Sequence, residues 1–344
     1  MKKILLLILS ICILSSSAYA CDFFKKKPFN STVKTANLFN SQITDDNTVW
    51  VGTFQLLWNN LSDNYVKGPI VFSNGQIPLA EELNKQEFNK TMLSENAYYT
   101  TYGVMTKSFK REIEDALKKK FNDKSDILDS FDWNGKNFLA YAMLKKDFQF
   151  VKAFAQLEKG LFANSGKKVK YFGLDKNSNQ AQRDSVTVLF HNADNDFALK
   201  LTTKAKDKVI LYRTDSKESF ENIYNALLEK ARVYEGSRIF LAKDKFKVPY
   251  LEFNTKHTYD ELANKHIKGT DLTIDKALQT VKFKMDNKGV QLKSEAAMIM
   301  KMSLAPSDLQ KPRNFYFDDT FVLFLIENEK PYFALKVVDV NGLK

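Results

Sequence analysis

Residues Phe315 to Val340, FYFDDTFVLFLIENEKPYFALKVVDV, contain two apolar segments near the end of the chain. Both segments are rich in Phe, Val and Leu, which favour strands, and the polar stretch Glu327 to Pro331 separates them. A short polar turn between two such segments is typical of a β-hairpin. This stretch therefore predicts two strands that close the fold.

The segment before this hairpin is Met285 to Pro312, MDNKGVQLKSEAAMIMKMSLAPSDLQKP. It begins like a strand, continues with small and apolar residues, and becomes polar around two prolines. Successive side chains of a strand point to opposite faces, and this pattern suits a strand buried on one side. An ordinary strand or a surface hairpin arm is the alternative. The small-to-apolar face holds Ser294, Ala296, Met298, Met300, Met302 and Leu304, and the other holds Glu295, Ala297, Ile299, Lys301 and Ser303.

The central part of the chain mixes strand and helix patterns without regular alternation. After Lys167, short β-branched and aromatic segments lie between Gly, Asn, Asp and Lys residues, which predicts strands. We expect a single α+β domain over residues 21–344, with a large mixed or antiparallel central sheet, additional sheets and surrounding helices. Apolar residues at helical spacing predict helices at Asn47 to Leu61, Ser108 to Phe121, Glu218 to Ala231 and Thr258 to Ile267.

The first twenty residues have the pattern of a signal peptide: a basic start, an apolar run, and the small-residue ending AYA. Cleavage after Ala20 would leave Cys21 first, which is where bacterial lipoproteins carry their lipid. The sequence thus predicts an exported bacterial protein, either anchored in the cell envelope through Cys21 or secreted with a free thiol. The expected membrane attachment is by lipid alone.

The charges give no sign of a nucleic-acid partner. The chain has 52 Lys and Arg against 41 Asp and Glu, a net charge of +11, but both signs are interspersed, as in Lys110 to Asp126. Such mixing is typical of solvated helix faces rather than of a basic stripe. We expect a monomer.

Enzyme signatures are mostly absent. The three histidines lack zinc-type spacing, and no nucleophile elbow, P-loop or dinucleotide-binding glycine pattern occurs. Asp126 to Trp133 places three aspartates on one face if it is helical, which suits acid chemistry or calcium binding; a solvated polar edge is the simpler interpretation. Trp50, Trp58 and Trp133 are interpreted as core residues. The sequence predicts no catalytic residue, no metal and no cofactor.

The C-terminal third of the chain resembles the serpin family. Val281 to Gly289, VKFKMDNKG, resembles the strand and turn that lead into the serpin hinge, and Ser294 to Met300, SEAAMIM, resembles the hinge itself. Phe315 to Val340 resembles the closing strands. Weaker similarity covers most of the mature chain. The sequence departs from the family where Thr320 replaces a usual proline, and where extra residues precede Ser294.

This resemblance implies a suicide-type protease inhibitor, not an enzyme. In inhibitory serpins, a protease cleaves an exposed reactive-centre loop, which then inserts into the central sheet while the protease is still attached. The loop corresponds to residues 290–314. Leu309 is the first candidate for the scissile residue, with Ser307, Lys311 and Arg313 as alternatives, and the target is a serine or cysteine protease of chymotrypsin-, subtilisin- or elastase-like preference. A non-inhibitory binding or structural protein is the alternative. The hinge corresponds to Gly289, Ser294, Glu295, Ala296 and Ala297.

Overall fold

The structure is a computed structural model that describes residues 32–163, 165–291, 312–341 and 343. It contains a seven-stranded sheet, two four-stranded sheets, two two-stranded sheets and a small number of helices. This arrangement confirms the predicted α+β class. Several predicted site residues lie outside the described residues, namely Cys21, Ser294, Glu295, Ala296, Ala297, Ser307, Leu309 and Lys311.

The helices are α1 (Thr53–Leu61), α2 (Pro78–Asn84), α3 (Lys107–Phe121), α4 (Gln180–Arg183) and α5 (Phe220–Val233). The first strands are β1 (Lys34–Thr35), β2 (Thr48–Val51), β3 (Tyr98–Thr106), β4 (Asn134–Leu144), β5 (Asp147–Gln149), β6 (Ala155–Leu161), β7 (Lys168–Leu174), β8 (Val186–Ala193) and β9 (Asp196–Thr202). The remaining strands are β10 (Lys208–Arg213), β11 (Lys245–Pro249), β12 (Leu251–Thr258), β13 (Lys265–His266), β14 (Thr273–Ile274), β15 (Leu278–Met285), β16 (Gly289–Gln291), β17 (Asn314–Tyr316), β18 (Phe321–Glu327) and β19 (Lys330–Val337).

The predicted C-terminal hairpin forms the centre of the seven-stranded sheet, whose strand order is β1-β2-β19-β18-β10-β9-β8. Asn328 and Glu329 connect β18 to β19 with positive φ angles of 47° and 61°, as a tight two-residue hairpin turn requires. Every residue of β18 is buried, since strands flank it on both sides. The hairpin prediction is therefore confirmed.

The two four-stranded sheets have the orders β17-β11-β7-β6 and β12-β15-β16-β5. Strands β3 and β4 form a separate antiparallel pair. Helix α3 directly follows β3, and Ile113 and Leu117 on its buried face pack with Tyr141 of β4. This places α3 against one side of the β3-β4 pair.

Two helix predictions are confirmed with small shifts at their starts. Thr106, rather than Ser108, caps α3, and its hydroxyl accepts a hydrogen bond from the Phe109 N–H. Helix α5 begins after Ser219, whose hydroxyl accepts from the Asn222 N–H. In both cases the cap is a residue whose hydroxyl accepts a hydrogen bond from the N–H three residues later.

The helix predicted for Thr258 to Ile267 is wrong. Strand β12 continues to Thr258, which pairs with Leu278, and only a 3-10 turn follows at Asp260–Leu262. Asn264 then has a φ of 60°, which ends any helical path. Pairing with β15 therefore overrides the helical spacing of this segment. Asn47 to Leu61 is likewise only partly helical, because its first residues form β2 in the seven-stranded sheet.

The segment Asp126 to Trp133 is not helical, so its three aspartates do not share a helical face. Only Leu128–Ser130 form a 3-10 turn, and the carboxylates bind separate partners. Asp126 pairs with Lys282, and Asp129 pairs with Lys110. Trp50 and Trp58 are buried as predicted, whereas Trp133 is only half-buried.

Candidate functional site

The candidate site is a slot between β4 and β15. One edge of β4 pairs with β3, and one edge of β15 pairs with β12. The second edge of β15 pairs with β16 only at Lys284 and Met285. Among the described residues, no strand pairs with the second edge of β4 or with that of β15 from Leu278 to Phe283. A cavity of about 130 Å³ lies between the two strands.

The walls of the slot come from four sides. The edges of β4 and β15 form its two long sides, and Gln291 lines it as well. Phe54 and Leu57 of α1 line it from the core, and the segment Asp123–Ile127, which follows α3, lines it from the opposite side. Two strand edges with unpaired backbone groups can bind one more strand through main-chain hydrogen bonds.

Strand β16 points the chain into this slot. It is antiparallel to both of its neighbours, with Gln291 opposite Lys284 of β15 and opposite Asp147 of β5. Strand β5 follows β4 after a break at Lys145 and Lys146. A strand continuing from Gln291 in the same direction would therefore lie between β4 and β15 and run antiparallel to both.

Gly289 stands where β16 passes closest to β5. A Cβ atom on Gly289 would lie 2.2 Å from the Phe148 carbonyl oxygen, which explains the glycine. The next residue, Val290, is fully buried in the main core together with Phe148 and Met285. The side chain of Val290 thus points to the core, and this identifies the buried face of β16.

Two ion pairs hold the segment Asp123–Ile127 across the slot. On one side, Asp123 lies 2.5 Å from the ammonium of Lys145, which follows β4. On the other, Asp126 lies 2.7 Å from the ammonium of Lys282 on β15. Both lysine side chains are largely buried, so these contacts are less screened than surface pairs. We call this segment the strap.

A buried charge cluster joins the break between β4 and β5 to the seven-stranded sheet. The Lys146 ammonium lies 2.7 Å from carboxylate oxygens of both Asp207 and Glu327, and the Tyr332 hydroxyl donates to Asp207 at 2.8 Å. Each of the three charged side chains is at most 4% exposed. One lysine thus contacts two carboxylates in the protein interior, and its single charge can balance only one of them. The Ser94 N–H and hydroxyl also donate to Glu327.

The two carboxylates of this cluster respond differently to burial. Burial raises the pKa of Asp207 above its ordinary value, despite its contacts with Lys146 and Tyr332. Burial also acts to raise the pKa of Glu327, but hydrogen bonds from Lys146 and Ser94 outweigh it, so the pKa is lowered overall. Asp207 is therefore the carboxylate that holds a proton more readily.

The other end of the predicted loop is fixed by Arg313. Its guanidinium lies 2.6 Å from the buried Asp244 carboxylate and donates to the carbonyls of Ser237 and Ile239. The Arg313 side chain is 8% exposed. As an alternative scissile residue, Arg313 is therefore wrong for the intact fold, because a protease pocket cannot reach this side chain.

Of the predicted hinge residues, the structure describes Gly289, which lies in β16 beside the slot. The charge cluster and the Arg313–Asp244 pair were not predicted. Lys146 shows one signal in the sequence, since two adjacent lysines follow the apolar stretch of β4. The described residues contain no group of three or more metal-ligating side chains. Nor do they include a helix that is long and apolar enough to cross a membrane.

No protein-family model and no curated protein sequence matches the chain. Several solved structures are similar to it over most of its length, at low identity. Serpin48 of the insect Tenebrio molitor has 13% identity and a TM-score of 0.47, covering 85% of this chain and 91% of its own. Human thyroxine-binding globulin in complex with thyroxine has 11% identity and a TM-score of 0.49, covering 86% of this chain and 92% of its own. Human glycosylated kallistatin has 13% identity and a TM-score of 0.46, covering 86% and 92%.

Proposed function

We propose that this protein is an exported serpin-like protease inhibitor whose residues 292–304 insert into the slot as a new strand after cleavage. One observation carries the proposal: β16 already lies between β15 and β5 and directs the chain between the edges of β4 and β15. Inhibition of this kind requires two open strand edges between which the cleaved loop can insert as a new strand. The slot has the direction for it, and in the observed register the edge of β15 accompanies the new strand as far as Ala297.

The length of the segment fits that of β4. Extending the observed pairing of Gly289 with Gln149 by one residue at a time brings Ser294 opposite Leu144. The same extension brings Leu304 opposite Asn134, the first residue of β4. The alternating segment identified in the sequence ends at Leu304, so segment and strand are matched in length.

The orientation of the segment fits as well. Because Val290 faces the core and strand side chains alternate, the even-numbered residues from Leu292 to Leu304 would face the core. These are the small and apolar residues. Glu295 and Lys301 would face the opposite side, which is the side on which the strap lies. A shift by one residue would bury both charges, so the pattern specifies one register.

The scissile bond has to lie beyond Leu304 if the whole strand is to be released. Leu309 satisfies this condition, as do Ser307 and Lys311. Cleavage at Leu309 forms an ester or thioester between the protease nucleophile and the Leu309 carbonyl carbon. The C–N bond to Gln310 breaks, and Gln310 leaves with a new, protonated amino group. Arg313 would hold the remaining end in place through Asp244.

The location of the protein is a separate part of the proposal. Cleavage after Ala20 would place Cys21 first, available for lipid attachment at a bacterial membrane, and the inhibitor would then act in the cell envelope. Mass spectrometry of the mature N-terminus tests this. A lipid on Cys21 supports the anchor, and an unmodified Cys21 means a secreted protein.

Complex formation with a protease tests the inhibitory function. The protein is incubated with chymotrypsin, subtilisin and elastase, and the products are separated in SDS. We expect a covalent complex with at least one of them, together with a small C-terminal fragment that begins at Gln310. Cleavage within residues 304–312 without any covalent complex would contradict inhibition, and it would instead support a non-inhibitory binding role for the same fold.

A further inference from the structure

Strand β3 offers an unprotected strand edge. One edge of β3 pairs with β4, whereas the other pairs with no strand in the described part of the chain. The regular part of β3, Tyr98 to Val104, has the sequence YYTTYGV, without a charge or a proline. Natural proteins commonly protect such edges with lysines, prolines or bulges. Here the first irregularity in the pairing lies beyond Val104.

Both faces of β3 are occupied, so its edge is what remains for a partner. On one face, Gly103 lies beneath Phe109 of α3; a Cβ atom there would be 3.0 Å from the phenyl ring. On the other face, the Tyr102 ring packs edge-on against Tyr65 at 5.7 Å. Val104, at the end of the regular part, is 50% exposed.

We propose that this edge binds the same edge of a second copy of the chain, forming an antiparallel, two-fold symmetric dimer. Full overlap of the regular strand pairs Tyr98 with Val104 of the other copy and places Thr101 on the symmetry axis. Threonine pairs and pairs of aromatic with β-branched residues stabilise neighbouring strands. The ladder would join the two β3-β4 pairs into one four-stranded sheet.

Charges at the two ends of β3 favour this partner. In the same register, the end of β3 that follows Glu95, which lies in a 3-10 turn, meets the end of the other copy's β3 that precedes Lys107, the first residue of α3. Both residues are exposed, and neither forms an ion pair with another described residue. The two-fold axis repeats the contact, so one dimer contains two such pairs. A second copy is therefore complementary to this edge in main-chain hydrogen bonding and in charge.

Sedimentation velocity over a range of concentrations tests the dimer. The chain from residue 21 onward is used with Cys21→Ser, which removes any disulfide. We expect a reversible dimer, and Val104→Lys should weaken it at least about tenfold, because a charge on a strand edge opposes pairing. Leu161→Lys is the matched control: it changes an equally exposed residue on another edge strand, β6, and should leave the dimer unchanged.

Charge reversal tests the register. Glu95→Lys and Lys107→Glu should each weaken the dimer, and the double variant should restore it. A protein that stays monomeric at all concentrations would overturn the proposal and support the monomer expected from the sequence. A dimer that tolerates Val104→Lys and both reversals would overturn this interface. Neither result bears on inhibition, because β3 borders β4 on the side away from the slot.

Discussion

Gly289 and Lys146 are the two residues that most directly shape the end of the slot. Gly289 allows the close approach of β16 to the Phe148 carbonyl. Lys146 links the break between β4 and β5 to Asp207 and Glu327 in the large sheet. Gly289 acts through the absence of a side chain, and Lys146 acts through its buried ammonium.

Replacing Gly289 tests the close approach. Gly289→Ala should lower the free energy of unfolding by about 1–3 kcal/mol, because the new methyl group must displace backbone atoms of β5. Chemical denaturation measures this change. Gly68→Ala is the control, since a Cβ atom at Gly68 meets no atom within 4 Å. Equal effects of the two substitutions would show that β16 does not pass β5 this closely.

The charge cluster predicts a specific dependence of stability on pH. The folded-state pKa of Glu327 is lowered, so its contribution is present above its unfolded pKa and is lost as the pH falls through the folded value. The folded-state pKa of Asp207 is raised, so its ionisation costs stability as the pH rises through the unfolded value. Glu327→Gln should therefore flatten the loss of stability in acid. Asp207→Asn should leave the loss of stability in acid in place. It should also remove the free-energy cost that ionised Asp207 imposes on the folded state at neutral pH. Unfolding free energies at several pH values, measured for both variants, test this; matching pH profiles for the two would contradict it.

Residue-scale features were the hardest to predict from the sequence. Lys146 and Glu327 are 181 positions apart, and no local pattern connects them. Arg313 was assigned to an exposed loop because it follows a polar stretch with two prolines. Its partner Asp244 lies 69 positions earlier, so its burial depends on tertiary packing alone. Buried ion pairs of this kind leave no periodic signal.

At the scale of elements, local sequence patterns predicted a helix or strand correctly where the residues of that element alone determine its conformation. The hairpin β18-β19 and helices α3 and α5 were predicted because their apolar spacing and turn or cap residues agree. The helix expected at Thr258 failed because pairing with β15 decides that segment. The slot could not be predicted at all, since it depends on which strand edges lie opposite each other.

The strap gives an element-scale prediction. A strand that enters the slot has to pass beneath Asp123–Ile127, which Lys282 holds through Asp126. Lys282→Gln should therefore speed insertion after cleavage by roughly fivefold, the factor that corresponds to about 1 kcal/mol. Stopped-flow tryptophan fluorescence after rapid proteolysis measures the rate. Lys110→Gln, which removes the Asp129 pair after α3, is the control. Equal rates for all three proteins would show that the strap does not limit insertion.

At the scale of the whole molecule, insertion would join the β3-β4 pair and the sheet that contains β12 and β15 into one continuous sheet. It would add a ladder with β4 along the new strand and a ladder with β15 as far as Ala297, and it would bury Met298, Met300, Met302 and Leu304. At about 1.5–3 kcal/mol for each fully buried side chain, the gain is roughly 6–12 kcal/mol before ordering costs. Typical stabilities are about 5–15 kcal/mol, so cleavage should change the melting temperature clearly. The bulky methionines should also make insertion slower than it would be with alanines.

The melting temperature before and after cleavage within residues 304–312 tests the central claim most directly. We predict that cleavage raises it in the natural protein and in Ala297→Arg, whose new side chain would face the strap and its carboxylates. Ala296→Arg should show no rise, because its charge would have to enter the core without a partner. All three uncleaved proteins should melt alike. If cleaved and intact natural protein melt at the same temperature, the segment does not insert, and the account of this protein as a serpin-type inhibitor is contradicted.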